Sequence, residues 1–505
     1  MAEQVSDVRI DEAGNGTVIN LSLISHTNVG KTTLARTLLG RDIGEVRDAA
    51  HVTEEASGHV MAQAGDDTLM LWDTPGFGDT ARMLKRLRLA GNPLGWLLTE
   101  VWDRWRERPL WASQQAVRNA RDQADVILYL VNAGEDPAGA AYVPLEMEVL
   151  SWIGKPIILL LNQMGPPRAD APGLDEEAAR WRDAVGGRAE LADILPLDAF
   201  ARCWVQEGVL LEAIVPLLPE QKQPAMRRLM QQWSQVNQTR FDKSMAVLAR
   251  NLARAAVDRE AVEDSNWRGR LAQLLSGGRG ERPEIRNAMG RLADRLEADS
   301  RTATDELIRL HNLSGKASRQ VLERLATHYA RREKAPEGIA AALGGLATGA
   351  TTGLAADLAA GGLTLGGGLI VGAIVGALGA GGIARGFNLV TGDEGSGVRW
   401  SEAFYTDMVR MALLRYLAVA HFGRGRGDWQ EGEYPPIWQE MVSQEVEGNK
   451  SEILSIYKRG KEGGENDLVS PLEALTSRMA RRLLERLYPP RKNFPDARLR
   501  DGQTL

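Results

Sequence analysis

The residues best placed to do chemistry are Ser25-His26-Thr27-Asn28-Val29-Gly30-Lys31-Thr32-Thr33, which follow the apolar run Val18 to Ile24 and open the segment Leu34 to Leu39. A buried strand, a loop and a helix start leave backbone N–H groups aimed one way with the helix dipole behind them. That arrangement suits the β- and γ-phosphates of a nucleotide. In this reading Lys31 neutralises phosphate charge and the Thr32 hydroxyl ligates Mg²⁺. The usual phosphate-loop pattern begins with glycine, and Ser25 holds that place. Further on, the apolar run Thr68 to Trp72 ends in Asp73-Thr74-Pro75-Gly76. Its acid would hold the Mg²⁺ shell while the Gly76 N–H reaches the γ-phosphate. Between these stretches, Gly40 to Gly65 is polar and reads as an irregular, mobile segment. Within it, Thr53 is a candidate switch threonine, ligating Mg²⁺ only when the γ-phosphate is present. A plain surface threonine is the competing reading of Thr53.

The elements that must position these residues are legible as apolar runs. Besides Val18 to Ile24 and Thr68 to Trp72, Asp125 to Val131 and Pro156 to Leu161 are continuous apolar stretches, as strands of a parallel sheet covered on both faces demand. Helical stretches alternate with them, and Ile194 to Leu197 with a helix over Gly208 to Leu218 closes the pattern. The expectation is a doubly wound α/β domain over residues 16–219, behind a flexible N-terminus at 1–15. Between Asp79 and Asp122 the chain is longer than that fold needs. There Arg82 to Leu89, with Trp96, Trp102, Trp105 and Trp111, makes a basic, tryptophan-rich insertion. It reads either as an interfacial membrane helix or as a face packed on the domain itself or on a partner.

Thr27-Asn28-Val29-Gly30-Lys31-Thr32-Thr33-Leu34 together with Asp73-Thr74-Pro75-Gly76 resembles the Era-type branch of the translation-factor-related GTPases. The whole chain resembles a bacterial group of GTPase-like proteins whose C-terminal half is of unknown function. The motif match covers about the first 220 residues. It implies a GTP-hydrolysing domain with Mg²⁺ as cofactor and GTP or GDP as ligand, with Lys31, Thr53, Asp73 and Gly76 as the catalytic set. It also implies that Asn28 helps coordinate a K⁺ near the phosphates. Phe77 stands where better-known GTPases carry a water-positioning glutamine, which implies slow intrinsic hydrolysis helped by K⁺ or dimerisation.

The departures from the family pattern concern the base. The family reads guanine with Asn-Lys-x-Asp, whereas this chain has Asn162-Gln163-Met164-Gly165. Loss of the aspartate removes a bidentate contact worth about 1–3 kcal/mol, so guanine selectivity is expected to weaken and ATP is not excluded. The family's Ser-Ala-Lys loop is replaced by Asp198-Ala199-Phe200, and Asp198 is the substitute candidate for the base edge.

The second half reads as helical. Long amphipathic helices fill 220–335 around a break at Ser276 to Gly280 and Pro283. Residues 336–390 contain two uncharged, glycine-rich arms, Gly338 to Ala356 and Leu358 to Ala384, each near the roughly 20 residues that span a bilayer. Their glycines recur at four-residue spacing, which makes a close-packed helical hairpin, either membrane-inserted or buried within a soluble half. Residues 391–488 form a C-terminal helical region, with amphipathic helices expected at Trp400 to Phe422 and Arg478 to Leu487, and 489–505 a polar tail.

The chain has 505 residues, a formal net charge of -6 from 61 basic and 67 acidic side chains, and a single cysteine, Cys203. That balance gives no global field to recruit nucleic acid, so none is indicated as a partner and any membrane or polyanion contact must come from local patches; the lone thiol fits a reducing cytoplasm. The N-terminus shows no signal-peptide pattern. The expected setting is therefore the cytoplasm, with peripheral or integral attachment to the cytoplasmic face of the inner membrane if the hairpin inserts. A guanine nucleotide, membrane lipid and a second copy, joined through the GTPase domain or the hairpin, are the partners to consider. Two rival functions remain open: a nucleotide-gated sensor with little turnover, and a glycine-zipper membrane assembly.

Overall fold

A computed structural model describes residues 16–40, 56–78, 80–88, 95, 107–164, 174–186, 190–197, 203–261, 283–313, 387–392, 395–422 and 436–488. The chain divides into two compact units, the first mainly residues 1–239 and the second mainly 240–505.

The first unit is built on a six-stranded sheet. Its elements in chain order are β1 (Val18–Ser25), α1 (Lys31–Leu39), β2 (Ser57–Ala64), β3 (Asp67–Asp73), α2 (Thr80–Leu87), α3 (Arg108–Asp122), β4 (Val126–Asn132), α4 (Tyr142–Ser151), β5 (Ile157–Asn162), α5 (Leu174–Val185), β6 (Leu191–Pro196) and α6 (Trp204–Ile214). The strand order is β2-β3-β1-β4-β5-β6. β1 runs parallel to β3 and β4, so Leu21 lies beside Leu71 on one side and Val126 on the other. β4, β5 and β6 continue the parallel set. Continuous apolar strands are what this placement requires, and every residue of β5 is buried.

Only β2 is antiparallel, paired with β3 at the sheet edge, so the sheet is mixed. It occupies the last part of the stretch read as irregular. Ser57-Gly58-His59-Val60-Met61-Ala62-Gln63-Ala64 has little β-propensity, and pairing with the apolar β3 across a turn at Gly65-Asp66 overrides it. Gly65 adopts a φ of 58°, in the left-handed region that glycine tolerates.

The basic insertion is partly resolved into self-packing. Met83 and Leu84 of α2 are buried in the main core cluster, and Trp111 of α3 packs against it. Arg82, Lys85 and Arg88 are exposed, and Arg88 grips Glu148 through two hydrogen bonds of 3.1 and 2.7 Å. Trp96, Trp102 and Trp105 lie outside the described residues.

At the opposite end of the sheet from the phosphate loop, the start of the next helix is tied down. Lys222 Nζ donates to both oxygens of Asp125 at 2.8 Å and to the Val18 carbonyl at 2.9 Å. Asp125 in turn accepts from the Asn20 N–H at 2.9 Å. Nearby, Arg228 donates to Asp67 at 2.7 Å, and Asp67 also accepts the Thr17 N–H at 3.0 Å. Burial pushes the Asp67 carboxyl up, but the Thr17 N–H and the Arg228 guanidinium outweigh it and hold the group below its ordinary range.

The helix that carries Lys222's neighbours, α7 (Gln223–Val257), is 35 residues long. Beyond it the second unit contains β7 (Arg259–Ala261), α8 (Pro283–Leu310), β8 (Phe387–Gly392), β9 (Gly395–Trp400), α9 (Glu402–Ala420), α10 (Pro436–Gly448), α11 (Lys450–Arg459) and α12 (Glu465–Leu487). It is mostly helical, with a small antiparallel sheet of order β7-β9-β8 that composition did not reveal. The expectation of an amphipathic helix over Trp400 to Phe422 is corrected. α9 is buried on nearly all sides, Arg410 and Arg415 included, and the Arg415 guanidinium reaches the Ser300 carbonyl at 3.4 Å. Arginine on a core helix imitates a polar face in the sequence when its charge is in fact enclosed. Among the described residues no helix is long and apolar enough to cross a membrane, and the glycine-rich arms at 338–384 lie outside them.

Replacing Lys222 with alanine leaves the Asp125 carboxylate and the Val18 carbonyl short of a donor. We expect a loss of about 1–3 kcal/mol, read as a lower urea midpoint at unchanged m-value, and an unchanged midpoint would remove this anchor from the stability of the first unit.

Candidate functional site

β1 ends at Ser25, and the turn to α1 is shaped by two left-handed residues, Asn28 with φ 65° and Gly30 with φ 97°. A Cβ on Gly30 would also lie 3.0 Å from the Asn162 amide nitrogen, so both conformation and space favour glycine. The loop is clamped to the segment after β3 by backbone hydrogen bonds: the Phe77 N–H donates to the Ser25 carbonyl at 2.9 Å and the Thr27 N–H to the Phe77 carbonyl at 3.1 Å. This brings together most of the residues singled out from sequence.

Lys31 is buried, and its Nζ donates to Ser25 Oγ at 2.9 Å and to the His26 carbonyl at 3.4 Å. Burial lowers its pKa to about 8, against the opposing pull of Asp73 and Glu146. An ammonium group held this way is under-solvated, which an incoming phosphate would relieve. Ser25, in the place of the usual glycine, supplies a hydroxyl that receives the lysine and itself donates to the His26 carbonyl.

One residue on, the Thr32 hydroxyl donates to Asp73 Oδ2 at 2.7 Å, joining the start of α1 to the end of β3. A hydroxyl and a carboxylate in contact are hard oxygen donors of the type Mg²⁺ prefers, with its remaining positions left for water and phosphate oxygens. Among the described residues there is no cluster of three or more His, Cys, Asp or Glu able to hold a metal by protein ligands alone. Gly76 packs against the loop so closely that a Cβ there would stand 2.9 Å from Thr27 Cα and 3.0 Å from Lys31 Nζ. Thr33 is buried behind the loop, whereas Asn28 is exposed at its tip.

Asn162 Nδ2 donates to the Val29 carbonyl at 2.8 Å and Gln163 Nε2 to the same oxygen at 3.3 Å, with Gln163 itself at φ 58°. Both residues therefore brace the phosphate loop from the end of β5. Thr53 and Asp198 lie outside the described residues, so the site is drawn without them.

A polar cluster beside the loop was missed in the sequence. His26 Nδ1 lies 2.6 Å from Glu146 Oε1, Thr80 Oγ1 donates to the same oxygen at 3.0 Å, and the Tyr129 hydroxyl donates to Glu146 Oε2 at 2.7 Å. Glu146 is 0% exposed. His26 stacks on Tyr142 with ring centroids 4.4 Å apart. The available signal was Glu146 itself, an acid on the apolar face made by Val143, Met147 and Leu150 of α4.

Residues 20–163 match the family described as 50S ribosome-binding GTPase, and residues 187–482, more than half of the chain, match the domain of unknown function DUF3482. The chain belongs to the DUF3482 family. Its N-terminal part is a GTP-binding P-loop GTPase domain, similar to that of Era proteins. The GTPase Era of Aquifex aeolicus is 23% identical over 207 residues, covering 40% of this chain and 56% of that protein. The mitochondrial GTPase Era of Salmo salar is 34% identical over 183 residues, covering 35% of this chain and 34% of the relative. The chain thus spans about half or less of the length of these relatives. Among solved structures, an Aquifex aeolicus Era variant bound to GDP and aluminium fluoride is 21% identical, with a TM-score of 0.30 and coverage of 40% of this chain and 58% of that one.

A second solved structure corrects one expectation. Era in complex with MgGDPNP and nucleotides 1506–1542 of 16S ribosomal RNA is 22% identical, with a TM-score of 0.29 and coverage of 41% and 58%. A GTPase with a similar domain is thus found on RNA, and the acidic balance of this chain does not rule out a nucleic-acid partner. Net charge describes the average field, whereas RNA contact depends on local patches.

The close approach at Gly76 makes a direct test. In Gly76→Ala the added methyl forces the segment after β3 away from Thr27 and Lys31, an overpacking cost of about 1–3 kcal/mol. Affinity for GDPNP, followed by titration of a fluorescent analogue, should fall about 5- to 100-fold, with GDP affected less, and equal losses for both nucleotides would contradict the placement of Gly76 at the γ-phosphate.

Proposed function

We propose that residues 16–219 form a Mg²⁺-dependent GTP-hydrolysing switch and that nucleotide state alters how the helical half, residues 220–488, engages a membrane surface or a partner. The observation that carries the first part is the joint placement of buried Lys31 and the Thr32–Asp73 pair at the mouth of the phosphate loop. In this reading the loop N–H groups and Lys31 bind the β- and γ-phosphates. Thr32 and Asp73 would hold Mg²⁺, which supplies charge neutralisation between the phosphates when bound. Gly76 orients the γ-phosphate, Thr53 closes over it, and Asn28 holds a K⁺ against it. Asn162 and Gln163 position the base, with Asp198 standing in for the absent aspartate of the family motif.

Lys31→Ala should lower nucleotide affinity at least tenfold without lowering the unfolding midpoint, because the lysine serves the phosphates rather than the core. Asp73→Ala should slow hydrolysis more than it weakens GDP binding. A turnover rate equal to that of the parent protein would remove Asp73 from the reaction.

Base selection is separable from catalysis. GTP should be favoured over ATP by a smaller factor than a full Asn-Lys-x-Asp motif gives, and Asp198→Ala should shrink the factor further. Titrating both nucleotides against the parent and Asp198→Ala checks this, and a preference of many orders of magnitude that survives the substitution would refute it.

One observation favours a second reading, a nucleotide-gated sensor with little turnover. Phe77 is 0% exposed and belongs to the core cluster, so it presents no polar group to an attacking water. Single-turnover hydrolysis, with and without K⁺, separates the two readings. For the helical half, the glycine-spaced arms at 338–384 support membrane attachment by composition. Fractionation after a carbonate wash, with and without residues 338–384, tests it, and full-length protein found wholly in the soluble fraction in both nucleotide states would overturn it.

A further inference from the structure

A fully buried carboxylate that contacts three separate elements invites a reason. Glu146 sits in α4 among Val143, Met147 and Leu150, where an apolar residue would pack without desolvation cost. Its two oxygens are instead engaged by His26 from the phosphate loop, Thr80 from the start of α2 and Tyr129 from β4. Tyr129 is buried in the sheet and gives the carboxylate a fixed anchor. His26 and Thr80 share a single oxygen, Oε1, so their side chains are held to one point in space.

Those two residues bracket the chemistry. His26 is the second residue of the phosphate loop, and its carbonyl receives both Lys31 and Ser25 Oγ. Thr80 closes the segment that begins with Asp73 and Gly76, and its hydroxyl also lies 2.9 Å from the Gly78 carbonyl. Between them, Phe77 is bonded by its backbone to Ser25 and Thr27. The stretch from Gly76 to Thr80 is therefore fastened to the phosphate loop twice, once through the Phe77 backbone and once through the Glu146 side chain. Phe77 is committed to the core and the Gly78 N–H donates to Ser113 Oγ at 3.0 Å, so of the ties on this stretch the Glu146 link is the one that joins Thr80 to His26.

We infer that Glu146 is a positioning residue for the γ-phosphate response: by holding His26 and Thr80 on one oxygen it keeps the Gly76 segment in register with the phosphate loop, so that the site distinguishes GTP from GDP. This rests on the GTPase reading above. In this reading Glu146 is not itself a ligand of nucleotide or metal. Its effect is transmitted through Thr80 and His26, and a misplacement of about 1 Å at the γ-phosphate is enough to change rate about 100-fold. The amide of Glu146→Gln can keep all three contacts. Its oxygen accepts from His26 and Thr80, and its N–H₂ donates to the Tyr129 oxygen, reversing that bond.

The test uses the full chain and measures the ratio of GDPNP to GDP affinity alongside single-turnover GTP hydrolysis. Glu146→Ala should lower the affinity ratio and the turnover rate about 10- to 100-fold while GDP affinity stays within about threefold. Glu146→Gln should restore both to within about threefold of the parent. Thr80→Val, nearly isosteric and leaving the carboxylate in place, should show the same loss to a smaller degree, and it carries the test if Glu146→Ala does not fold. Equal losses for GDP and GDPNP, or no rescue by glutamine, would show a merely structural role and overturn the inference. If the parent protein fails to hydrolyse GTP, the GTPase reading falls, while the affinity ratio still decides whether Glu146 positions the segment.

Discussion

An ammonium group enclosed in protein is the constraint around which the phosphate loop and its acidic neighbours are arranged. Lys31 stands at the end of an apolar sheet with Ser25 and a backbone carbonyl as its hydrogen-bond acceptors, and burial alone would drive it toward the neutral form. What keeps the charge worthwhile is the nearby anionic field of Asp73 and Glu146, one at the end of β3 and one inside α4. Each of those acids is in turn tied to another element, Asp73 to Thr32 and Glu146 to His26, Thr80 and Tyr129. Through those bonds the two acids, rather than the lysine itself, join the loop after β1 to β3, β4, α1, α2 and α4.

The parallel sheet makes this placement rigid. Strands buried on both faces leave no freedom of register, and the loops at their C-terminal ends inherit that precision. The loop after β1, the turn after β3 and the end of β5 all meet around Val29 and Thr27. Asn28 and Gly30 in the first of these segments and Gln163 in the last are left-handed, and the side-chain amides of Asn162 and Gln163 reach the Val29 carbonyl between them. At the far end of the sheet, Lys222 and Arg228 do the equivalent for the start of α7 by neutralising Asp125 and Asp67.

Much of this was visible in the sequence because it depends on local pattern. Apolar runs such as Ile157 to Leu161 announce buried strands, and Gly30-Lys31-Thr32 and Asp73 to Gly76 mark two loops at the strand ends that the fold brings together. What escaped depends on pairing and packing rather than on the composition of one segment. β2 is made of small and polar residues and exists because β3 offers it an edge. In the second sheet β8 and β9 are consecutive, but β7 pairs with β9 from more than a hundred residues away. Glu146 is one acid among many on a helix until the fold brings His26, Thr80 and Tyr129 to it. α9 shows the opposite failure, since Arg410 and Arg415 look like a solvated stripe and are enclosed.

Phe77 carries a consequence of another kind. Its backbone belongs to the phosphate loop's clamp, while its ring belongs to the core shared by Ile24, Tyr129 and Met147. A change to glutamine at this position would not simply add a water-orienting group. It would place an amide in an apolar cavity at a cost of about 1–3 kcal/mol, or pull the chain out of the clamp to reach solvent. Under the proposed hydrolytic reading, stability and turnover are thus opposed at one residue, and a lineage that gains a polar group there must first rebuild the hydrophobic layer beneath it.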